Sequence, residues 1–314
     1  MRHFWPILLF AIIFVVALIG QNSQPNIQPS QHAMPQRIIS LGPSITETLF
    51  ALGLGDNIVA VSNYCDFPTE VINLPKVGGY VDPNLEAIVA LQPDLVVLLA
   101  NQQRTIKQLH QLNIPTLPVR DTTLADIKNM MDRIGQRTQH QKQAQQLLNS
   151  IDQKITTIVE KTAKSARPRV LITIGHSIGN NQIKTLFIAG QHDFYNDLIT
   201  LAGGENAYQS TALKVPSLSI EGLIQLNPQI ILDIFPEADD HDADLDQVLQ
   251  QWQQLEYIDA VNNNRVHIIE QDYATIPSPR VILLLEQIAQ LIHPELDWSD
   301  YGNLTTTSPN IDPK

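Results

Sequence analysis

This chain says nearly the same thing twice, and no other property of its sequence limits its possible folds so much. Residues 84–99 read Asn-Leu-Glu-Ala-Ile-Val-Ala-Leu-Gln-Pro-Asp-Leu-Val-Val-Leu-Leu, and residues 219–234 echo them as Ser-Ile-Glu-Gly-Leu-Ile-Gln-Leu-Asn-Pro-Gln-Ile-Ile-Leu-Asp-Ile. In register, Glu86 meets Glu221, Leu91 meets Leu226 and Pro93 meets Pro228, with aliphatic against aliphatic at most other positions. Each copy reads as a capped helix, a proline stop and a buried strand. Asn84 or Ser219 supplies the N-cap, the proline ends the helix, and a continuous aliphatic run suits a strand covered on both faces. Two copies of one unit predict two similar lobes, and two facing lobes enclose a cleft.

The totals permit this arrangement. A chain of 314 residues holds two domains of ordinary size. Its 43% hydrophobic and 17% charged content is that of a globular protein. A net charge of −12 repels phosphate and argues against non-specific nucleic-acid binding. One cysteine, Cys65, excludes an internal disulfide framework and a multi-cysteine zinc site.

Residues 1–20 stand apart. Met1-Arg-His precedes an uncharged apolar run from Phe4 to Ile19, which falls between a signal-peptide core and a full span of ~20 residues. No cysteine follows for acylation, and no small-x-small cleavage site is evident. The run is therefore an export segment, and the sequence leaves both a cleaved signal peptide and an N-terminal membrane anchor open. Residues 21–35 form a polar, proline-bearing linker.

From Arg37 onward the chain alternates strand and helix. Strands are expected at 37–41, 58–61, 95–99 and 116–119, with helices over 45–52, from Asn84 and over 105–112. Ser44 with Glu47 reads as a capping box. Residues 124–162 lack proline and carry apolar residues at helical spacing, predicting a long helix over Gln139 to Lys161, about 30 Å long. The alternation then restarts: a strand at Arg169 to Ile174, a helix at Phe194 to Leu201 stopped at Ala202-Gly-Gly-Glu-Asn206, the second echo, a helix at 245–255, a strand at 266–269 and a closing helix at 279–291. The Ala202 segment pairs with Ala51-Leu-Gly-Leu-Gly-Asp-Asn57. The expected organisation is an N-terminal lobe at 36–137, a connecting helix at 138–165, a C-terminal lobe at 166–296 and a polar, frayed tail at 297–314.

These residues resemble the helical-backbone substrate-binding proteins of ABC importers for cobalamin, iron-siderophores and haem, most of all the cobalamin-binding branch. The resemblance rests on Arg37-Ile-Ile-Ser-Leu-Gly-Pro-Ser-Ile-Thr-Glu47, Tyr64-Cys-Asp-Phe-Pro68, the segment 84–94, Ala202-Gly-Gly-Glu-Asn206, Val215-Pro216 with Ser219-Ile-Glu221, and Ser278-Pro-Arg280. It implies an α/β fold of two similar lobes, mainly parallel sheets flanked by helices, joined by one long backbone helix with the ligand between them. It implies a permease and its ATPase as partners and a corrinoid, siderophore or haem as ligand; no cofactor or resident metal is expected. By the same resemblance Glu86 and Glu221 dock on the permease, one from each lobe. The plainer reading keeps each glutamate as a first-turn carboxylate gaining ~0.3–1 kcal/mol from the helix dipole; two at equivalent sites favour docking.

Loops at the carboxyl ends of strands line the cleft in such folds. That selects Ser44, Tyr64, Cys65, Tyr80, Asn101, His176, Ser217 and Tyr273 as ligand-binding candidates, with Pro43 and Gly175 beside them. Tyr64 and Tyr80 stand where cobalamin binders of the family place aromatic rings against the corrin. Leu99 and Ser217 stand near positions that often carry tryptophan there, which leaves a smaller or more polar ligand open. His176 is expected in a cleft-facing loop, and Cys65 as a soft ligand or a small buried group. The acidic run 239–244 lacks the glycine and terminal glutamate of a calcium loop and reads as solvated. No nucleophile elbow, helical metal pair or phosphate-cradling glycine loop is present. A cleft enzyme and an anchored envelope receptor without a transporter are the alternatives.

Overall fold

A computed structural model describes residues 34–179, 182–235, 245–299 and 301. The export segment 1–20, nearly all of the linker, the acidic run 239–244 and the tail from 302 lie outside the described residues. Two sheets organise the rest, and each sheet with its helices forms one lobe. The first sheet is parallel, in the order β2-β1-β3-β4, from β1 (Ile38–Ser40), β2 (Ile58–Val61), β3 (Leu95–Leu99) and β4 (Thr116–Val119). The second is mixed, built from β5 (Arg169–Gly179), β6 (Gln182–Ile188), β7 (Glu205–Asn206), β8 (Ser217–Ser219), β9 (Ile230–Ile234) and β10 (Val266–Ile269). Its path is β10-β9-β5-β6-β8, with β7 paired to the start of β5.

The strand order β7-β5-β9-β10 repeats β2-β1-β3-β4, and the repeat reaches the atomic details. Asn84 caps α2 (Leu85–Ala90) by accepting from the Ala87 amide, and Ser219 caps α7 (Ile220–Leu226) by accepting from Gly222. Position by position, the two helices bury Ile88 and Leu223 and expose Glu86 and Glu221. Gln92 and Asn227, just before the prolines, both adopt positive φ (47° and 40°). The Arg37 amide donates to Asp94 Oδ1 at 2.9 Å and its carbonyl accepts from the Asp94 amide; Arg169 and Gln229 make the same exchange at 2.8 and 2.9 Å. The helices α1 (Pro43–Ala51) and α6 (Phe194–Leu201) both end on a glycine of positive φ, Gly53 and Gly203, conformations an L side chain rarely adopts.

Between the sheets run α3 (Gln103–Gln111), which belongs to the first, then α4 (Leu124–Arg137) and the 22-residue α5 (Gln141–Thr162). Positive φ at Gln139 separates the last two. Leu148, Ile151 and Ile158 of α5 pack into one core with Ile127 and Met131 of α4, strands β5 and β9, and Leu284 and Ile288 of the closing helix α10 (Val281–Ile292). Lys154 of α5 pairs with Glu286 of α10 at 2.8 Å. The helices α8 (Leu245–Gln253) and α9 (Asp259–Asn262) cover the other face of the second sheet. Among the described residues no helix is long and apolar enough to cross a membrane.

Three expectations change. Ser44 is not an N-cap: α1 starts at Pro43 with Gly42 before it, since proline at the first helical position lacks only an amide that has no partner there. The strand expected to stop at Ile174 continues to Gly179 and folds back as β6, an antiparallel hairpin whose residues carry no long aliphatic run. The tail does not fray at Asp297, because the Trp298 indole donates to the His293 carbonyl and Lys161 lies over both Trp298 and Tyr301.

Candidate functional site

Parallel strands bring their carboxyl ends to one edge, and at that edge the two lobes meet over a cavity of about 400 Å³. Its first wall is the end of β3 (residues 99–101) and the segment from β4 into α4 (119–123 and Asp126); His192 and Lys214 supply the other wall. Hydrogen bonds fix the rim. Tyr80 donates its hydroxyl to Asn101 Oδ1 at 2.6 Å, while Gln102 donates to the Tyr80 carbonyl and accepts from the Leu99 amide. Ser44 donates to Asp121 Oδ2 at 2.8 Å. Across the seam the Phe194 amide donates to the Thr122 carbonyl (2.8 Å), the Leu124 amide to Asp197 (2.9 Å) and Lys214 to the Thr122 hydroxyl (3.4 Å). Gly190 has no room for a side chain, since a Cβ there would sit 2.3 Å from the Leu213 carbonyl; the glycine lets the Lys214 segment close on the end of β6.

This edge is acidic and partly desolvated. Burial pushes the Asp121 carboxyl up, against the bond from Ser44. Burial, with Asp197 and Asp121 nearby, raises Asp193 to about 6 despite its bond to the Tyr195 amide and the charge of Lys214. Burial also raises the Tyr80 hydroxyl. Among the described residues no three His, Cys, Asp or Glu side chains converge to hold a metal.

A second contact ties the lobes at the base of α10. Arg280 donates to Glu47 through Nε (2.8 Å to Oε2) and Nη2 (2.5 Å to Oε1), and Ser278 donates to Glu47 Oε2. Arg280 also reaches Asp272, and its guanidinium lies 3.9 Å from the centroid of the Phe67 ring. Burial works against the Arg280 charge, but the bonds and charges of Glu47 and Asp272 outweigh it and hold its pKa above the ordinary value.

The candidate residues divide. Asn101 lines the cavity, Tyr80 is bound to Asn101, and Ser44 is bound to the lining residue Asp121. Tyr64 is 66% exposed, Ser217 lies exposed on β8, and Tyr273 is half-buried on the turn Asp272–Thr275 with its hydroxyl on Gln287. Cys65 is instead buried at 1%, its sulfur 3.1 Å from both the Thr46 and Ser62 hydroxyls, so it packs beneath the Tyr64 loop. Burial pushes its thiol up, away from a reactive thiolate. His176 is not in a cleft-facing loop. It lies within β5, its side chain 1% exposed, stacked on Phe235 and edge-on to Trp252, with Nδ1 3.7 Å from Asp233 Oδ1. The strand ran on past Ile174 because the hairpin supplies it with a partner. Gly175 shares that strand. Glu86 and Glu221 are both exposed; the Glu221 backbone amide and the Ser219 side chain hold the Glu221 carboxyl below its usual range.

The residues not anticipated include Arg120 to Thr123, His192 and Lys214 at the cavity, and the Glu47–Arg280 pair. The first group had a signal. Strand β4 was expected to end at Val119, and the same carboxyl-end rule selects Arg120 and Asp121. His192 and Lys214 had none, because they follow the hairpin.

Four known proteins or families share sequence or geometry with this chain. A family model described as periplasmic binding protein matches residues 38–273. A vitamin B12-binding protein of Yersinia pseudotuberculosis serotype O:1b (strain IP 31758) is 29% identical over 288 residues, covering 91% of this chain and 93% of that one. The crystal structure of the periplasmic vitamin B12 binding protein BtuF of Vibrio cholerae superposes with a TM-score of 0.68 at 25% identity, covering 83% and 97% of the two chains. A periplasmic heme binding protein from Pseudomonas aeruginosa has a TM-score of 0.72 at 21% identity, over 84% and 95%, and so shares the fold.

Proposed function

Because the chain belongs to the periplasmic binding protein family, we propose that it is the extracytoplasmic solute-binding component of an ABC importer, capturing a corrinoid or metal-chelate ligand and delivering it to a membrane permease. The observation that carries the reading is a cleft walled from both lobes in a member of that family. Its volume suits a ligand pocket. Exposed apolar side chains adjoin it in sequence, Val81 beside Tyr80 and Leu213 and Val215 on either side of Lys214, and such surface marks a binding rim. Tyr64, Tyr80 and Tyr273 supply rings for a flat ligand face, while Ser44, Asn101 and Ser217 supply polar contacts. The Yersinia relative's name favours a corrinoid; haem and ferric siderophores are the other members of the class. Residues 1–20 export the protein, as a signal peptide or as an anchor at the outer face of the cytoplasmic membrane.

The exposed glutamates dock the permease in this reading, Glu86 from one lobe and Glu221 from the other. The support is the repeat itself. Each glutamate sits one turn before an exposed aliphatic residue, Val89 or Ile224, so the two lobes present one surface twice. Rim charges of this kind set orientation and on-rate.

Titrating the purified protein with cyanocobalamin, haemin and a ferric hydroxamate, followed by tryptophan fluorescence, tests the ligand assignment. Saturable binding of one without turnover is expected; no binding of any, or conversion of a ligand, rejects it. Glu86→Ala with Glu221→Ala is expected to leave that affinity intact and lower transport at least tenfold. Undiminished permease binding by the double variant would return both residues to a helix-capping role.

A further inference from the structure

From the Glu47–Arg280 contact we infer that this pair is a positioning latch, which holds the two lobes at one spacing and so sets the separation of the Tyr64 and Tyr273 loops before any ligand arrives. The geometry has four parts. Both side chains are almost fully buried although both are ionisable, and they come from different lobes, 233 residues apart in the chain. The contact is two-pronged: Nε on one carboxylate oxygen and Nη2 on the other fix distance and plane together, which a single hydrogen bond does not. Neither partner is free to swing. Ser278 also holds the carboxylate, and Asp272 and the Phe67 ring hold the guanidinium. Finally, the holders belong to the loops in question, since Phe67 is three residues from Tyr64 and Asp272 adjoins Tyr273, whose ring centroid lies 5.8 Å from the Arg280 guanidinium carbon.

A merely stabilising role explains this poorly. Taking two charges out of water is costly, and packed apolar residues of similar volume stabilise a core as well or better. What the ion pair adds is directional. The seam has a second attachment at Thr122 with Phe194 and Leu124 with Asp197, and α5 joins the lobes covalently. Attachments at separate points leave no single axis about which the lobes can turn.

The test needs no ligand. Nitroxides placed at Lys107→Cys on α3 and Gln225→Cys on α7, both exposed, report the spacing of the lobes, while buried Cys65 resists labelling. In the full chain, double electron–electron resonance is expected to give one narrow distance distribution. Arg280→Lys, which keeps the charge and loses the two-pronged contact, and Glu47→Leu with Arg280→Met, which replaces the pair by apolar volume, are each expected to at least double its width. An unchanged width in either folded variant overturns the latch. So do two distance populations in the unaltered protein, a result that stands even where a variant fails to fold. The consequence for Tyr64 and Tyr273 rests on reading them as cleft aromatics. A latch that holds in a protein binding none of the three probes would separate the failure of that reading from the failure of this one.

Discussion

The two lobes are built on one frame and finished differently. The frame comprises the strand order, the glycine helix stops at Gly53 and Gly203, the positive-φ residues Gln92 and Asn227, and the backbone exchange of Arg37 with Asp94 and of Arg169 with Gln229. The finish is where they diverge. In the first lobe the strand β1 stops after three residues; its counterpart β5 runs for eleven and pairs with β6, which carries β8 on its far side. Leu98 of β3 is fully buried among aliphatics, whereas its counterpart Asp233 is a fully buried carboxylate accepting from the Trp252 indole at 2.7 Å. The lesson is a division of labour: what the lobes share makes each sheet and its crossings, and what they do not share shapes the second lobe's own hairpin and core.

If the frame is truly shared, equivalent core deletions should hurt equally. Ile88 and Leu223 are the inward residues of the twin helices, each fully buried. Truncation of either to alanine is expected to cost about 2–5 kcal/mol in a denaturant titration. A loss at Leu223 less than half that at Ile88 would end the equivalence. The divergent positions should behave otherwise. Trp252→Phe leaves one Asp233 oxygen without its donor and is expected to cost about 1–3 kcal/mol, while the counterpart Leu98 offers no polar group to strand. A Trp252→Phe protein as stable as the parent would mean that Asp233 finds another partner.

A smaller difference between the lobes arises at the cavity edge, through pH. Asp193 has a folded pKa of about 6, well above its ordinary value, so the folded protein binds this proton more tightly than the unfolded chain. Its contribution to stability is therefore complete below about pH 4 and is lost as pH rises through about 6. Asparagine caps a helix as well as aspartate and carries no charge. Asp193→Asn should match the parent near pH 4 and exceed it at pH 7 by on the order of 1 kcal/mol, once solvent screening is allowed for. Parallel melting temperatures for the two proteins across that range would contradict the assignment.

How much of this the sequence carried follows the same division. The frame was legible because it obeys local rules read from neighbours in the chain: caps at Asn84 and Ser219, prolines at 93 and 228, and aliphatic runs at 95–99 and 230–234. The helix Phe194–Leu201 and the strand Val266–Ile269 were anticipated to the residue. The finish depends on contacts between distant segments. The hairpin strand Gln182–Ile188 reads Gln-Ile-Lys-Thr-Leu-Phe-Ile, neither a strict polar–apolar alternation nor a long aliphatic run, so sequence reading places His176 in a loop rather than in the strand that β6 extends. Glu47 looked like a helix-capping carboxylate because its true partner, Arg280, comes 233 positions later. Of the cavity, the end of β3 points to Asn101, and Tyr80 and Ser44 lie one hydrogen bond away from lining residues.

The smallest predicted effect separates the lobes by its sign. Gln92 and Asn227 occupy the same turn of the repeat with nearly the same positive φ, a conformation that costs an L residue roughly 1 kcal/mol and a glycine almost nothing. On backbone grounds alone, glycine at either position should help slightly, less at 227 because asparagine tolerates this region better. Asn227 has a second task, since its Oδ1 accepts from the Asp259 amide at 2.9 Å and so starts α9. Gln92→Gly is therefore expected to raise stability by about 0.5 kcal/mol, after the greater freedom of the unfolded chain is subtracted. Asn227→Gly is expected to lower it by about 0.5–1 kcal/mol, the ordinary value of the lost hydrogen bond outweighing the relieved turn. A gain at both positions would mean that the turn, and not the bond to Asp259, decides what residue 227 must be, and a loss at both would mean that the freedom of the unfolded chain outweighs the turn.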